Sequence, residues 1–183
     1  MVTLRPCDWP VTYTGYIKTI IKSSKGRNGP TLDMTTRLVD RQRFGKLKVA
    51  PWNVMGIAEK TEELQTVLLK TKIDIFIITE TKNKNKGSED ICNYVMIYCG
   101  VPANQLASSG VAIAIRKDWK HKIEDYTWIW NRIIETRIKV LNRNFTIVGV
   151  YAPVEGKEQE TIEFYMQLQQ SMDKIPKERK TTL

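Results

Sequence analysis

Three places in the sequence carry side chains suited to chemistry, and each lies where a predicted strand ends. Asn53 follows the apolar stretch beginning at Val49, Glu80 closes the run Ile73-Asp74-Ile75-Phe76-Ile77-Ile78-Thr79, and Tyr151-Ala152-Pro153 follows the alternating segment Phe145 to Tyr151. Open α/β sheets gather their sites at strand ends, where side chains leave the ladder and converge on a shared crevice. A carboxylate set directly after such an apolar run is costly to bury unless it is hydrogen-bonded or holds a cation. Ligation of a hard divalent metal is then the most economical use of Glu80. The same residue types also serve structure: Glu80 could pair with Lys82, and Asn53 could close an Asx turn. Spacing alone favours those structural uses.

The elements that would position these residues are predicted from Lys46 onward as alternating strands and helices. Leu47-Lys48-Val49 is a short strand, followed by a turn at Pro51 to Asn53. Ile57, Leu64, Val67 and Leu68 recur at helical intervals opposite Glu59, Lys60, Glu62 and Glu63, which predicts an amphipathic helix over Ala58 to Lys70. The β-branched run to Thr79 reads as a strand buried on both faces. A polar loop rich in Lys and Asn is expected from Lys82 to Asp90, with strands at Tyr94 to Cys99 and Val111 to Ile115. Ile133 to Val140 and Phe145 to Tyr151 both alternate around Asn142-Arg143-Asn144 and predict an antiparallel hairpin. Glu158 to Met172 is expected to be a helix with Ile162, Tyr165 and Leu168 on its buried face, ended by Ile175-Pro176. Tyr126, Trp128 and Trp130 alternate as a packed sheet face does, although aromatic side chains also stack on bases.

The first 45 residues show neither periodicity and are expected to form a basic, disordered tail, leaving 46–183 as the domain. Residues 1–44 hold eight basic side chains against three acidic ones, and so five of the nine net positive charges. Net charge of +9 favours a polyanionic partner, since Lys and Arg release condensed counterions when they neutralise phosphates. Composition is that of a globular protein, 42% hydrophobic and 27% charged, which argues against wholesale disorder. Cys7, Cys92 and Cys99 have no metal-ligand spacing and read as free thiols. The start lacks an apolar leader and the longest apolar run, Ile75 to Ile78, is too short to cross a bilayer. A nuclear or cytoplasmic location without membrane partners is the expectation.

Four segments occur in one order: Val49-Ala50-Pro51-Trp52-Asn53-Val54, Ile77-Ile78-Thr79-Glu80-Thr81-Lys82, Ser108-Ser109-Gly110-Val111-Ala112-Ile113 and Val150-Tyr151-Ala152-Pro153. On these, the chain resembles the endonuclease/exonuclease/phosphatase superfamily, and within it the apurinic-type endonuclease domain of non-long-terminal-repeat retrotransposons. The resemblance runs from about Lys46 to Lys177. It implies a DNase I-like α/β sandwich, mixed sheets with flanking helices, of which the C-terminal half is missing. It implies Mg²⁺ (or Mn²⁺) as cofactor and double-stranded DNA as partner, with phosphodiester hydrolysis as the reaction. By that resemblance Glu80 would ligate the metal and Asn53 would hydrogen-bond the phosphate or the metal shell. Tyr151 would contact the scissile phosphate, Arg132 and Lys82 would contact phosphate or DNA, and Gly110 would permit a tight approach at the start of its strand.

The sequence also departs from that pattern. The strand ending in Gly-Asp-Phe-Asn and the closing Ser-Asp and His motifs do not occur. After Tyr151 the one aspartate is Asp173, and the one histidine, His121, comes earlier, within Trp119-Lys120-His121-Lys122. Pro51 stands where the family has a small residue or Thr, and it removes a ladder donor. Part of a sandwich would also expose an apolar sheet face and unpaired edges. The expectation is a retroelement-derived endonuclease fragment without hydrolytic activity. The alternative is a basic nucleic-acid-binding or interaction module without enzymatic activity, and a decayed gene product is the third.

Overall fold

The most apolar stretch of the sequence becomes the middle of the larger sheet. In the computed structural model, the described residues are 16–21, 37–38, 48–58, 60–140, 143–154 and 156–175. Strand β4, Ile75–Thr79, is buried at all five positions, as a strand covered on both faces must be. It lies parallel to β3, Lys48–Asn53, and antiparallel to β7, Val111–Arg116. Helix α1, Thr61–Lys70, makes the crossover from β3 to β4 and carries Glu62 and Glu63 in its first turn and Lys70 in its last, matching its dipole.

Strand β3 runs on through Pro51 to Asn53, where a turn was expected. The backbone of Lys48 and Val54 faces β4, since Lys48 O accepts from Asp74 N and Val54 N donates to Thr79 O. Odd-numbered residues of β3 therefore face the other way, toward β2, Arg37–Leu38, which pairs only with Lys48 and Val49. The missing N–H of Pro51 thus costs no bond to β4, and the strand tolerates it as an edge position does.

Residues 86–91, part of the expected loop, form strand β5, Lys86–Ile91, paired with β6, Tyr94–Cys99, across the two-residue turn Cys92-Asn93. Cys92 has φ +50°, the left-handed backbone such tight hairpins require. Its sequence, Lys-Gly-Ser-Glu-Asp-Ile, has little β propensity; it extends because β6 offers a free edge, and charges suit an outermost strand. The larger sheet is thus β2-β3-β4-β7-β6-β5.

A second sheet follows β7 after a 3-10 helix, Lys117–Lys122, in which His121 is exposed. Its strands are β8, Ile123–Trp130, β9, Ile133–Val140, and β10, Arg143–Tyr151, the last two forming the expected hairpin. Strand β1, Tyr16–Ile21, joins β10 in parallel at the far edge. Strands β1 and β2 are what the structure describes of the expected tail; the remainder of that segment lies outside the described residues.

Three apolar layers hold the elements together. Ile75, Ile77, Ile113 and Val111 meet Ile134, Ile138, Ile147 and Tyr151 between the sheets. Leu64 and Leu68 of α1 cover Phe76, Ile78, Met96 and Ala112 on the outer face of the large sheet. Helix α2, Glu158–Asp173, covers Ile133, Val148 and Val150 on the outer face of the small one through Phe164 and Leu168. The architecture is α/β/β/α, and each outer sheet face carries a helix. Tyr126 and Trp128 of β8 pack edge-to-face at 5.1 Å against the inner layer. A bulge between Trp128 and Trp130 turns Trp130 to the α2 side, so the three aromatics do not share one face. Cys92 and Cys99 are free thiols; burial pushes the Cys99 thiol up to about 12, which keeps it unreactive. Cys7 lies outside the described residues. Among the described residues, no helix is long and apolar enough to cross a membrane.

The buried face of α2 is Phe164, Leu168 and Ser171, at helical intervals of four and three, rather than the expected Ile162, Tyr165 and Leu168. Ile162 is 55% exposed and Tyr165 38%. Both stripes have helical spacing; Phe164 wins because it fills the gap over Val148 and Val150. Phe164→Ala is expected to cost about 3–5 kcal/mol of unfolding free energy. Ile162→Ala should cost less than about 0.5 kcal/mol. Urea denaturation followed by tryptophan fluorescence checks both, and equal losses would overturn the assignment of the face.

Candidate active site

The ends of β3, β4 and β10 bring Asn53, Glu80 and Tyr151 together at one end of the sandwich. Asn53 closes β3 and is in register with Thr79, the residue before Glu80. Its Nδ2 donates to Glu80 Oε1 at 2.9 Å, while its Oδ1 accepts from Met55 N at 3.1 Å. Asn53 therefore makes the expected Asx-type turn and orients the carboxylate at once. Of the uses weighed from the sequence, the Asx turn at Asn53 is present.

Glu80 is held there by backbone that ordinary residues avoid. Met55, Glu80 and Lys82 have φ of +52°, +53° and +53°, and Gly56 and Gly110 have +107° and +139°. Left-handed non-glycine residues cost of order 1–3 kcal/mol each and persist only where their surroundings over-determine them. Here the surroundings are a web of main-chain bonds. Gly56 N donates to Glu80 O at 2.7 Å, Ile57 N to Thr81 O at 3.0 Å, and Thr81 N to Gly110 O at 3.2 Å. The loops leaving β3 and β4 and the one entering β7 are thus fastened to each other.

Tyr151 lies at the end of the inner apolar layer, with its ring buried and its hydroxyl donating to the Glu80 carboxylate. Burial pushes its phenol up to about 12; the Glu80 charge and hydrogen bond add to the rise, and Arg132 opposes it. Arg132, in the turn between β8 and β9, sets its guanidinium 4.9 Å from the Tyr151 ring centre. Its Nε and Nη2 reach Glu160 Oε1 at 2.8 and 2.7 Å, and its side chain is only 4% exposed. Lys82 is exposed and passes beside Gly56, where an added Cβ would lie 3.4 Å from Lys82 Cδ. Buried Oγ1 of Thr79 and Oγ of Ser109, and Oδ1 of Asn131, find no hydrogen-bond partner among the described residues.

Of the residues singled out in the sequence, Asn53, Glu80, Tyr151 and Arg132 form one connected set, with Lys82 and Gly110 on the adjoining loops. Glu160 was missed. It sits in the first turn of α2, where an acidic residue reads as a dipole partner, and its link to Arg132 spans 28 positions that no local pattern encodes. Among the described residues, no group of three or more His, Cys, Asp or Glu clusters as a ready-made metal cage.

Desolvation raises the Glu160 carboxyl, but hydrogen bonds from Lys157 and Arg132 outweigh it and hold the pKa below the ordinary 4.5. A lowered folded-state pKa gives stability that is present above 4.5 and lost as pH falls through the folded value. Glu160→Gln should therefore cost on the order of 2 kcal/mol at pH 7, with the gap to wild type closing below pH 4.5. Denaturation of both proteins from pH 7 to 3 measures it; a gap independent of pH would refute the pair's contribution. Gly110→Ala, whose Cβ would fall 2.3 Å from Thr81 Oγ1 at φ +139°, should lose more than about 1 kcal/mol. An unchanged melting temperature would contradict the strain argued for that loop.

No protein-family model matches the chain. Craniofacial development protein 2 of Bos taurus is 28% identical over 131 residues, covering 70% of this chain and 22% of that protein. The chain thus spans about a fifth of the length of that relative. The probable RNA-directed DNA polymerase from transposon BS of Drosophila melanogaster is 29% identical over 92 residues, 50% of this chain and 9% of that protein. The catalytic domain of Xenopus laevis APE2 superposes with a TM-score of 0.51 at 17% identity, covering 66% of this chain and 51% of that one. The two packed sheets with flanking helices are those that the resemblance implied. The chain has the DNase I-like α/β sandwich fold of the endonuclease/exonuclease/phosphatase superfamily.

Proposed function

We propose that this chain carries the metal and phosphate half-site of a retroelement-derived, Mg²⁺-dependent DNA endonuclease, and that it does not hydrolyse DNA by itself. The observation that carries the reading is the convergence of Asn53, Glu80 and Tyr151, with a 2.9 Å bond between the first two, at strand ends of a DNase I-like fold. Similarity to craniofacial development protein 2 and to a transposon polymerase supports the retroelement origin. The domain proper would begin near residue 46, with β1 and β2 as additions at the sheet edges.

The residues present fit a hard cation that keeps most of its water. Glu80 supplies one carboxylate, and Mg²⁺ is commonly bound by one or two carboxylates together with waters and substrate phosphates. A carboxylate has about four lone-pair sites and can both accept hydrogen bonds, as from Asn53 and Tyr151, and ligate a cation. When bound, Mg²⁺ (or Mn²⁺) would offset charge on phosphoryl oxygens. Asn53 fixes the carboxylate, the Tyr151 hydroxyl would donate to a phosphate oxygen once the cation takes the carboxylate from it, and exposed Lys82 supplies a positive charge. The reading of inactivity is supported by the residues after Tyr151, where the aspartate is Asp173, in the last turn of α2, and there is no histidine. A DNA substrate would place the protein in the nucleus or cytoplasm.

Supercoiled plasmid incubated with the protein and Mg²⁺ is expected to show no nicking above buffer. Robust nicking that Glu80→Gln abolishes would sink the claim of inactivity while upholding the site. A second reading, a basic nucleic-acid-binding module without catalysis, is favoured by the +9 net charge. It requires duplex affinity that falls steeply between low and moderate salt. Absence of binding at low salt would remove it.

A further inference from the structure

We infer that Glu160 and Arg132 are positioning residues that act on Tyr151, and that Arg132 is not itself a phosphate contact. The inference rests on the proposed half-site, whose Tyr151 it concerns. Three contacts tie Arg132 to Tyr151. Arg132 O accepts from Tyr151 N at 3.0 Å, Nη1 donates to Tyr151 O at 3.4 Å, and the guanidinium lies over the ring at 4.9 Å. The remaining donors, Nε and Nη2, converge on Glu160 Oε1. Glu160 Oε2 in turn takes Lys157 Nζ at 3.0 Å.

Burial decides how these groups behave. A guanidinium with 4% of its side chain exposed reaches no incoming phosphate without leaving Glu160. A desolvated cation deprived of its carboxylate must find another anion or drag its surroundings toward solvent. The anion within reach of Tyr151 is the Glu80 carboxylate. Glu160 therefore keeps the guanidinium over the ring, and so fixes where the Tyr151 hydroxyl points. A purely structural pair would only fasten α2 to the small sheet. That second job has its own contact, Ser171 Oγ donating to Glu135 Oε2 at 3.2 Å, which touches neither Arg132 nor Tyr151.

The test uses the full chain with carbon-13 in the tyrosine rings, the Tyr151 signal being identified by its loss in Tyr151→Phe. Glu160→Gln and Arg132→Lys should shift or broaden the Tyr151 ring signal, Ser171→Ala should leave it in place, and Glu160→Asp should restore part of the shift. A Tyr151 signal unmoved by Glu160→Gln, or moved equally by Ser171→Ala, overturns the positioning role. Should Glu160→Gln fail to fold, the Glu160→Asp and Arg132→Lys spectra decide alone, and no change in either overturns it. No nucleic acid enters this measurement, so a failed plasmid or duplex experiment counts against the proposed function only.

Discussion

The layer of side chains between the two sheets has to stop somewhere, and the manner of its stopping governs everything at the candidate site. Ile77, Ile113 and Ile147 fill the interior, and Gly149 lies so near that a Cβ there would be 3.1 Å from Ile113. Tyr151 is the last member of that layer from β10. Its ring belongs to the core and its hydroxyl does not, which is the usual reason to spend a tyrosine at the edge of an apolar interior. Packing confines the ring to that layer and Arg132 lies over its face, so the hydroxyl is delivered to Glu80 at little further cost in side-chain freedom.

The large sheet delivers Glu80 by a different device. Its strand is too deeply buried for a carboxylate, so the chain must turn out at once after Thr79. It does so through left-handed backbone at Glu80 and Lys82, matched by Met55 and Gly56 across from it. Main-chain bonds between those loops and Gly110 hold the strained turn in place. Gly110 belongs to this device, since any Cβ would collide with Thr81. One turn therefore depends on three segments far apart in sequence, all of which were singled out in order along the chain.

That dependence explains what was legible in the sequence. Buried strands announce themselves by composition, and residues at their ends inherit a location from them, so the place of Asn53, Glu80 and Tyr151 at strand ends is legible in the sequence. Strand β5 was not, because its polar residues extend only in answer to the edge of β6. The face of α2 was misassigned because Ile162 and Tyr165 have the same spacing as the residues that pack, and only the contour of the small sheet chooses between them. Pro51 looked like a strand breaker until the direction of each backbone group in β3 was known. Glu160 carries no local signal, since its meaning lies in an arginine on the other side of a hairpin.

The pairing of Arg132 also changes the electrostatics expected of the cleft. From the sequence, Arg132 and Lys82 would both draw a phosphate. In the fold the Arg132 charge is answered by Glu160 and lies almost wholly out of water, where its field is spent on Tyr151 and its own partner. Lys84 and Lys86, further along the same loop, are engaged as well, Lys84 Nζ donating to Ala103 O at 3.1 Å and Lys86 Nζ standing 5.3 Å from the Trp128 ring centre. Lys82, two residues after Glu80, is exposed, and its attraction is screened within about 8 Å at physiological salt. Were the proposed cation held on Glu80, its charge would reverse the local sign and favour a phosphate beside Tyr151. In the proposed half-site the Glu160–Arg132 pair would keep the arginine from answering a phosphate directly, so that the attraction would have to come from the cation.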